Sequence, residues 1–413
     1  MSADSRSIGL LLLLLLGCTP TGEGEHQRSD AVADLPGRLP MFVAGRHRLA
    51  LGSRHTCAIR DGAIYCWGAN SKGQLGDRSD LDRPRPVPVI GIDDAISIVA
   101  DDEHTCALRA DGSVWCWGND EHGQVSGEAG GAHSQPVKKW GIEGARAIAT
   151  GATISCAVDE HEQVVCWGKL SWGGPRLEIE TLTGIDVGVG EHSVCALTSD
   201  GHVDCRGPNY YGELGVLDRE LLASRVEGLA DADALSFGDV HGCVHRSGDA
   251  IACWGSGVAH QTGTAFPSKI AYSQTNTNVE INAPSLAKLP AIAQVSAGFH
   301  HTCVLARDGR VGCFGSNGDG QSRPGKGRTE KLADVDWLPK PSDVVEVVAG
   351  AWHSCALRAN GEVWCWGDDS RAQLGGGSSR EIAQAVGLER VDGELSTLAL
   401  DGRTRTACPH DVG

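Results

Sequence analysis

Fourteen of the sixteen cysteines stand in pairs nine or ten residues apart: Cys57 with Cys66, Cys106 with Cys116, Cys156 with Cys166, Cys195 with Cys205, Cys243 with Cys253, Cys303 with Cys313 and Cys355 with Cys365. Five pairs are preceded by a histidine two residues before the first cysteine, at His55, His104, His241, His301 and His353. Thiol and imidazole together offer three chemistries. A thiolate beside an oriented imidazole is a nucleophile, Cys and His together bind zinc, and two facing cysteines oxidise to a disulfide. Catalysis needs one activated pair, whereas this arrangement is multiplied along the chain. A zinc site needs four ligands and each copy offers three. Disulfides are therefore the expectation, and fourteen buried thiols acting as small apolar residues are the competing reading.

The elements that would position these pairs are hairpins. In the stretch His104–Gln124, HTCALRADGSVWCWGNDEHGQ, Cys106–Arg109 reads as a strand, Ala110-Asp111-Gly112 as a turn and Ser113–Trp117 as the returning strand. Gly supplies the positive φ that a tight reversal needs. Turn length and cysteine spacing vary together. The two-residue turn Asp61-Gly62 sets Cys57 opposite Cys66, while three-residue turns such as Arg307-Asp308-Gly309 and Ala359-Asn360-Gly361 go with the wider spacing. Each pair is expected at a non-hydrogen-bonded site, with Cα atoms about 4.5 Å apart. By loop closure each bond would contribute roughly 2–3 kcal/mol.

The hairpin recurs. The second cysteine runs into Trp67-Gly68, Trp117-Gly118, Trp167-Gly168, Trp254-Gly255, Phe314-Gly315 or Trp366-Gly367, with Arg206-Gly207 in the fourth copy. Steps between first cysteines are 49, 50, 39, 48, 60 and 52 residues. A period near fifty, made of short strands and Gly-rich turns, is that of propeller blades. Tryptophan supplies 11 of the 20 aromatic residues (Tyr 4, Phe 5), mostly at repeat positions, which marks it as the packing residue between blades. The third copy has Glu160-His161-Glu162 at its turn, and the fifth has Ser247-Gly248-Asp249 followed by a polar insertion over 271–290. After the seventh, Leu395–Cys408 reads like the opening of another copy and is expected to be a closing strand joining the last blade to the first.

The pattern Gly-x-x-His-x-Cys-Ala-Leu, then Asp-Gly-x-Val-x-Cys-Trp-Gly, then Gly-Gln-Leu-Gly resembles the repeat of the regulator of chromosome condensation family. It is carried by Gly298–Leu305, His104–Trp117 and Gly73-Gln74-Leu75-Gly76, with Gln373-Leu374-Gly375 closing the last copy. The resemblance implies an all-β, seven-bladed β-propeller over residues 45–410, with the histidine as a structural hydrogen-bonding residue and function carried by loops. It extends to β-lactamase inhibitor protein II, a bacterial propeller that covers its target with one face, which gives an enzyme inhibitor as the alternative function.

Residues 1–17 read as a signal peptide around the leucine run Leu10–Leu16, too short to span a bilayer. Leu15-Leu16-Gly17-Cys18 resembles the lipobox of bacterial lipoproteins, which implies lipidation of Cys18; an ordinary secretory signal is the alternative. Residues 18–41 lack periodicity and read as a flexible tether, and 42–413 as the propeller. Export would favour disulfides, leaving Cys408 as the odd cysteine.

A net charge of −17 argues against nucleic acid and anionic headgroups as partners. No HExxH, phosphate loop or nucleophile elbow is present, so no catalytic residues, cofactor or metal are expected. Asp101-Asp102-Glu103 and Asp368-Asp369 read as solvated loop charge. Trp172, Tyr210 and Tyr211 follow their hairpins where blades turn out to a face, and aromatics there are candidate partner-binding residues. The reading is a monomeric, non-catalytic protein-binding platform, exported and lipid-anchored in a bacterial envelope, with an envelope or extracellular protein as partner.

Overall fold

The computed structural model describes residues 46–169, 181–216, 218, 220–263, 289–325, 332–376, 384–391 and 394–399. Cys18, Trp172, Cys408 and most of the 271–290 insertion lie outside them. Among the described residues there are seven antiparallel sheets and no helix.

Each sheet grows from its hairpin. Asp61 (φ 50°) and Gly62 (φ 80°) supply the two left-handed residues of the shortest turn, the geometry that matches strand twist. Where the third copy lacks glycine, Glu162 adopts φ 63°. The register holds in every copy, with first cysteine opposite second. Disulfides join Cys57 to Cys66, Cys106 to Cys116, Cys156 to Cys166 and Cys195 to Cys205. They likewise join Cys243 to Cys253, Cys303 to Cys313 and Cys355 to Cys365. The reading of fourteen buried thiols is thereby set aside. Cα atoms stand 4.0–4.1 Å apart in all seven, the close approach of facing non-hydrogen-bonded positions.

An inner strand pairs with the first strand of each hairpin: Leu49–Leu51, Ala95–Asp101, Ala147–Gly151, Asp186–Val189, Ala232–Phe237, Ile292–Ala297 and Val344–Ala349. Residues of all seven inner strands line one axial cavity, so the sheets stand in a circle. Leu49 and Leu51 pack in one cluster with Leu357 and Val363, joining the seventh blade to the first. Outer strands such as Arg83–Pro88 (RPRPVP) carry prolines, which are tolerated at a sheet edge because no ladder donor is needed there. Within each blade the inner and third strands point the same way. The turn after the inner strand and the loop after the third strand therefore share one face.

Of the expected closing strand, Leu395–Cys408, only 395–399 fall within the described residues. There Glu394–Ala399 pairs with Gln384–Val391 as the fifth strand of the seventh sheet. The two strands are near neighbours in sequence, so their pairing closes a far shorter loop, at lower entropic cost, than pairing with the opposite end of the chain. Side chains at the seam between first and seventh blades join the two ends of the ring.

Candidate functional site

The repeat motif resolves into a hydrogen-bonded relay between neighbouring blades. Gly52 donates to the His55 carbonyl (3.0 Å), and a Cβ on Gly52 would sit 2.1 Å from the imidazole. Only a residue without a side chain leaves room for the ring there. His55 Nε2 meets the Thr105 hydroxyl of the next blade (2.8 Å), and that hydroxyl donates to the Gln74 carbonyl (3.1 Å). Because the hydroxyl's hydrogen goes to the carbonyl, the imidazole must donate, which fixes a neutral Nε2–H tautomer. The Trp117 indole N–H gives the same carbonyl a second bond (2.8 Å).

The unit recurs as His104–Ser155–Gln124, His241–Thr302–Gln261 and His301–Ser354–Gln321. His353–Thr56–Gln373, with Trp67 on the same carbonyl, closes the circle. Burial holds these five histidines far below the usual imidazole range, at about 3 for His55, His241 and His301 and about 4 for His104 and His353. The expected structural role of the histidine is what the geometry shows. Tryptophan between blades is likewise as expected: Trp67, Trp117, Trp167, Trp254 and Trp366 are fully buried. Cysteines committed to disulfides offer these histidines no thiolate.

Two interfaces depart together. The third blade has Ile154 at the histidine position, and the fourth has Val194 at the matching hydroxyl position; both lie in one apolar cluster. The fourth blade has Ser193 for histidine, and the fifth has Gly242 for the hydroxyl residue. A Cβ at Gly242 would lie 2.6 Å from both the Phe237 and Trp254 rings. Sequence reasoning left the residue between His and Cys blank. Its alternation with the histidine of the preceding copy is the signal that could have found the relay.

The fourth blade also carries the exposed aromatics. Tyr210 is 51% and Tyr211 49% exposed, with Leu221 and Leu222 on the same loop at 39% and 42%. The loop is framed from beneath. Asn209 accepts from Leu214 N (2.9 Å) and donates to the Val216 and Asp218 carbonyls (2.8 Å each), while Gly207 N donates to the Leu222 carbonyl. Glu213 stands where other copies have Gln and accepts from Tyr211 N (2.7 Å). His192 meets Tyr210 edge-on, with centroids 5.2 Å apart and planes at 82°.

The acidic clusters are not simply solvated. Asp101 ends an inner strand on the axial cavity, and burial raises its pKa to about 7. Asp368 and Asp369 brace their loop through Ser370, Gln373 and Leu374.

Family models for the regulator of chromosome condensation (RCC1) repeat match residues 47–74, 95–124, 292–321 and 344–373, with a second form over 61–108. The RCC1 domain-containing mitochondrial protein RUG3 of Arabidopsis thaliana is 27% identical over 249 residues, covering 58% of this chain and 54% of that one. The match thus spans about half of that relative. The ultraviolet-B receptor UVR8 of the same plant is 26% identical over 394 residues, 89% of this chain and 86% of its own. Prp20p of Saccharomyces cerevisiae superposes with a TM-score of 0.67 at 18% identity, over 84% of this chain and 88% of that one, which speaks to fold. Repeats, blade count and ring geometry agree: the chain is a seven-bladed propeller that carries matches to the RCC1 repeat over residues 47–124, 292–321 and 344–373.

Proposed function

We propose that the chain is a non-catalytic, envelope-anchored protein-binding propeller, held by a lipid on Cys18, whose recognition surface is the fourth-blade loop bearing Tyr210, Tyr211, Leu221 and Leu222. The carrying observation is concentration. Among the described residues seven large apolar side chains are exposed, and four of them sit on this loop. Scattered singly they would be ordinary; gathered on a framed loop they form an anchor patch. The relatives fit such a role, since Prp20p is described by its binding to Gsp1p and histones. Net negative charge favours a partner with basic groups around an apolar segment.

The test is affinity capture from envelope extract, run in parallel with the wild type and a double variant carrying Tyr210→Ser and Tyr211→Ser. A retained protein whose yield falls at least tenfold with the variant supports the reading. A hydrolase as that protein would favour the inhibitor alternative. Identical capture by both would remove the loop from the function. Mass spectrometry of the mature protein checks the anchor: lipid mass on Cys18 is expected, and an unmodified N-terminus would rule it out.

A further inference from the structure

The axial cavity has a volume of about 150 Å³. Its wall is mixed, with Val99, Val189, Phe237 and Val348 among the apolar lining residues and Thr150, Ser236, Gln294 and Ser296 among the polar ones. On the face that carries the turns after the inner strands it meets carboxyl groups. Asp101 occupies the position where most blades have the turn glycine, and Asp239 follows the turn glycine Gly238; both line the cavity. Burial raises Asp239 to about 8, with Glu191, Asp101 and Glu213 adding to the shift, and Glu191 shares a hydrogen bond with it. Neighbouring Asp102 is already engaged by the Ser53 hydroxyl (2.8 Å). Across the mouth the turn of the sixth blade places Phe299 on the cavity, its ring 5.4 Å from that of Trp352.

A bore of this size admits a ligand of about benzene's volume, whose hydrocarbon part can lie along Val99, Val189, Phe237 and Val348. Two desolvated carboxyls at its mouth select a cation, and an aromatic rim adds a favourable face. We propose that this cavity is a binding site for an alkylammonium group, with the hydrocarbon chain in the bore and the nitrogen between Asp101 and Asp239. Such a group comes either from a lysine on a partner or from a free amine. The site shares its face with the fourth-blade loop, whose Glu213 acts on Asp239. It is tested by carboxyl variants and small amines where the loop is tested by tyrosine variants and protein capture, so either can fail without the other.

Ligand charge and carboxyl ionisation are linked. Below about pH 8 Asp239 holds its proton, so an ammonium ion must displace it, and affinity rises with pH until the amine itself deprotonates near 10. The groups acting on Asp239 are Glu191, Asp101 and Glu213; the flanking turns bring His192 and His300, and Arg54 lies on the turn of the first blade.

Calorimetric titration of the full chain with n-butylammonium and n-butanol at pH 6.5 and 8.5 tests the proposal. Expected are binding of the ammonium, butanol at least tenfold weaker, tighter ammonium binding at the higher pH, and at least tenfold loss in both Asp101→Asn and Asp239→Asn. Equal binding of butanol, or either variant within twofold of wild type, would overturn it. A blocked Gly-Lys-Gly peptide separates the two sources. Binding as tight as butylammonium supports the site as a lysine receptor, and binding by free amines alone supports it as a small-ligand site.

Discussion

The junction of first and second blades and the junction of third and fourth fill the same layer with opposite chemistry. The first uses His55, Thr105, Trp117 and the Gln74 carbonyl, every donor aimed at a specific acceptor. The other uses Ile154 and Val194 in an apolar cluster, and Arg206 replaces the tryptophan, its guanidinium donating to the carbonyl of its own neighbour Cys205 (2.9 Å). Hydrogen bonds contribute about 1 kcal/mol net each, and burying an Ile or Val contributes about 1.5–3 kcal/mol. The apolar junction is therefore no weaker at this layer. The relay adds orientation, because an imidazole, a hydroxyl and a carbonyl satisfy one another in one register only. It also adds vulnerability, since losing one member strands the others in a dry interior.

The tryptophan layer should show the largest contrast. Trp117→Ala removes a fully buried indole and its bond to Gln74, and a loss of about 3–5 kcal/mol is expected. Arg206→Ala at the equivalent place should cost under about 1 kcal/mol, because its side chain is partly exposed. Denaturant unfolding of both variants gives the comparison, and equal losses would contradict it.

Next come the disulfides, present on both sides of the contrast. Replacing Cys106 and Cys116 by alanine, or Cys195 and Cys205, should cost about 2–3 kcal/mol in either blade, measured as the shift in the first unfolding transition. A much larger loss in the fourth blade would mean that its junction leans on the staple where others lean on the relay.

A double-mutant cycle sharpens the relay itself. Thr105→Val alone leaves His55 Nε2–H without its acceptor, at a cost of about 1–3 kcal/mol. Adding His55→Ile rebuilds the chemistry of the third junction, so the double variant should lose less than the sum of the singles. Strict additivity would show that the pair does not act as a unit.

Acid titration probes the same contrast through the groups of unusual pKa. The five relay histidines titrate near 3–4 in the fold and near 6.5 unfolded, so only the unfolded chain gains protons as pH falls from 6.5 to 4. Each removes about 1.4 kcal/mol of stability per pH unit in that window. Asp101 and Glu346, raised to about 7, and Asp239, raised to about 8, act oppositely and return part of this loss. Five against three leaves net destabilisation on acidification. Hydrogen exchange should show it around the relay junctions and not around Ile154 and Val194; a uniform acid response would refute the contrast.

Much of the fold was legible because its decisive contacts are local. Cysteine spacing tracked turn length, and a strand's period of two then put the sulfurs on one side. The number of copies, the tryptophan positions and the role implied for the histidines followed from repetition. The proposed recognition loop was half legible: Tyr210 and Tyr211 stood out as irregular aromatics, while the exposure of Leu221 and Leu222 came only from the structure.

Sequence alone determined the hairpins, their staples and the count of blades, since each rests on residues within about a dozen positions of one another. Tertiary structure decided what lies beside each hairpin. Thr56 meets His353 across 297 positions, and Asp101 changes from an apparent surface charge to a half-buried residue lining the bore. Burial and partnership depend on neighbours that only the closed circle brings together, and a linear pattern carries no record of that distance.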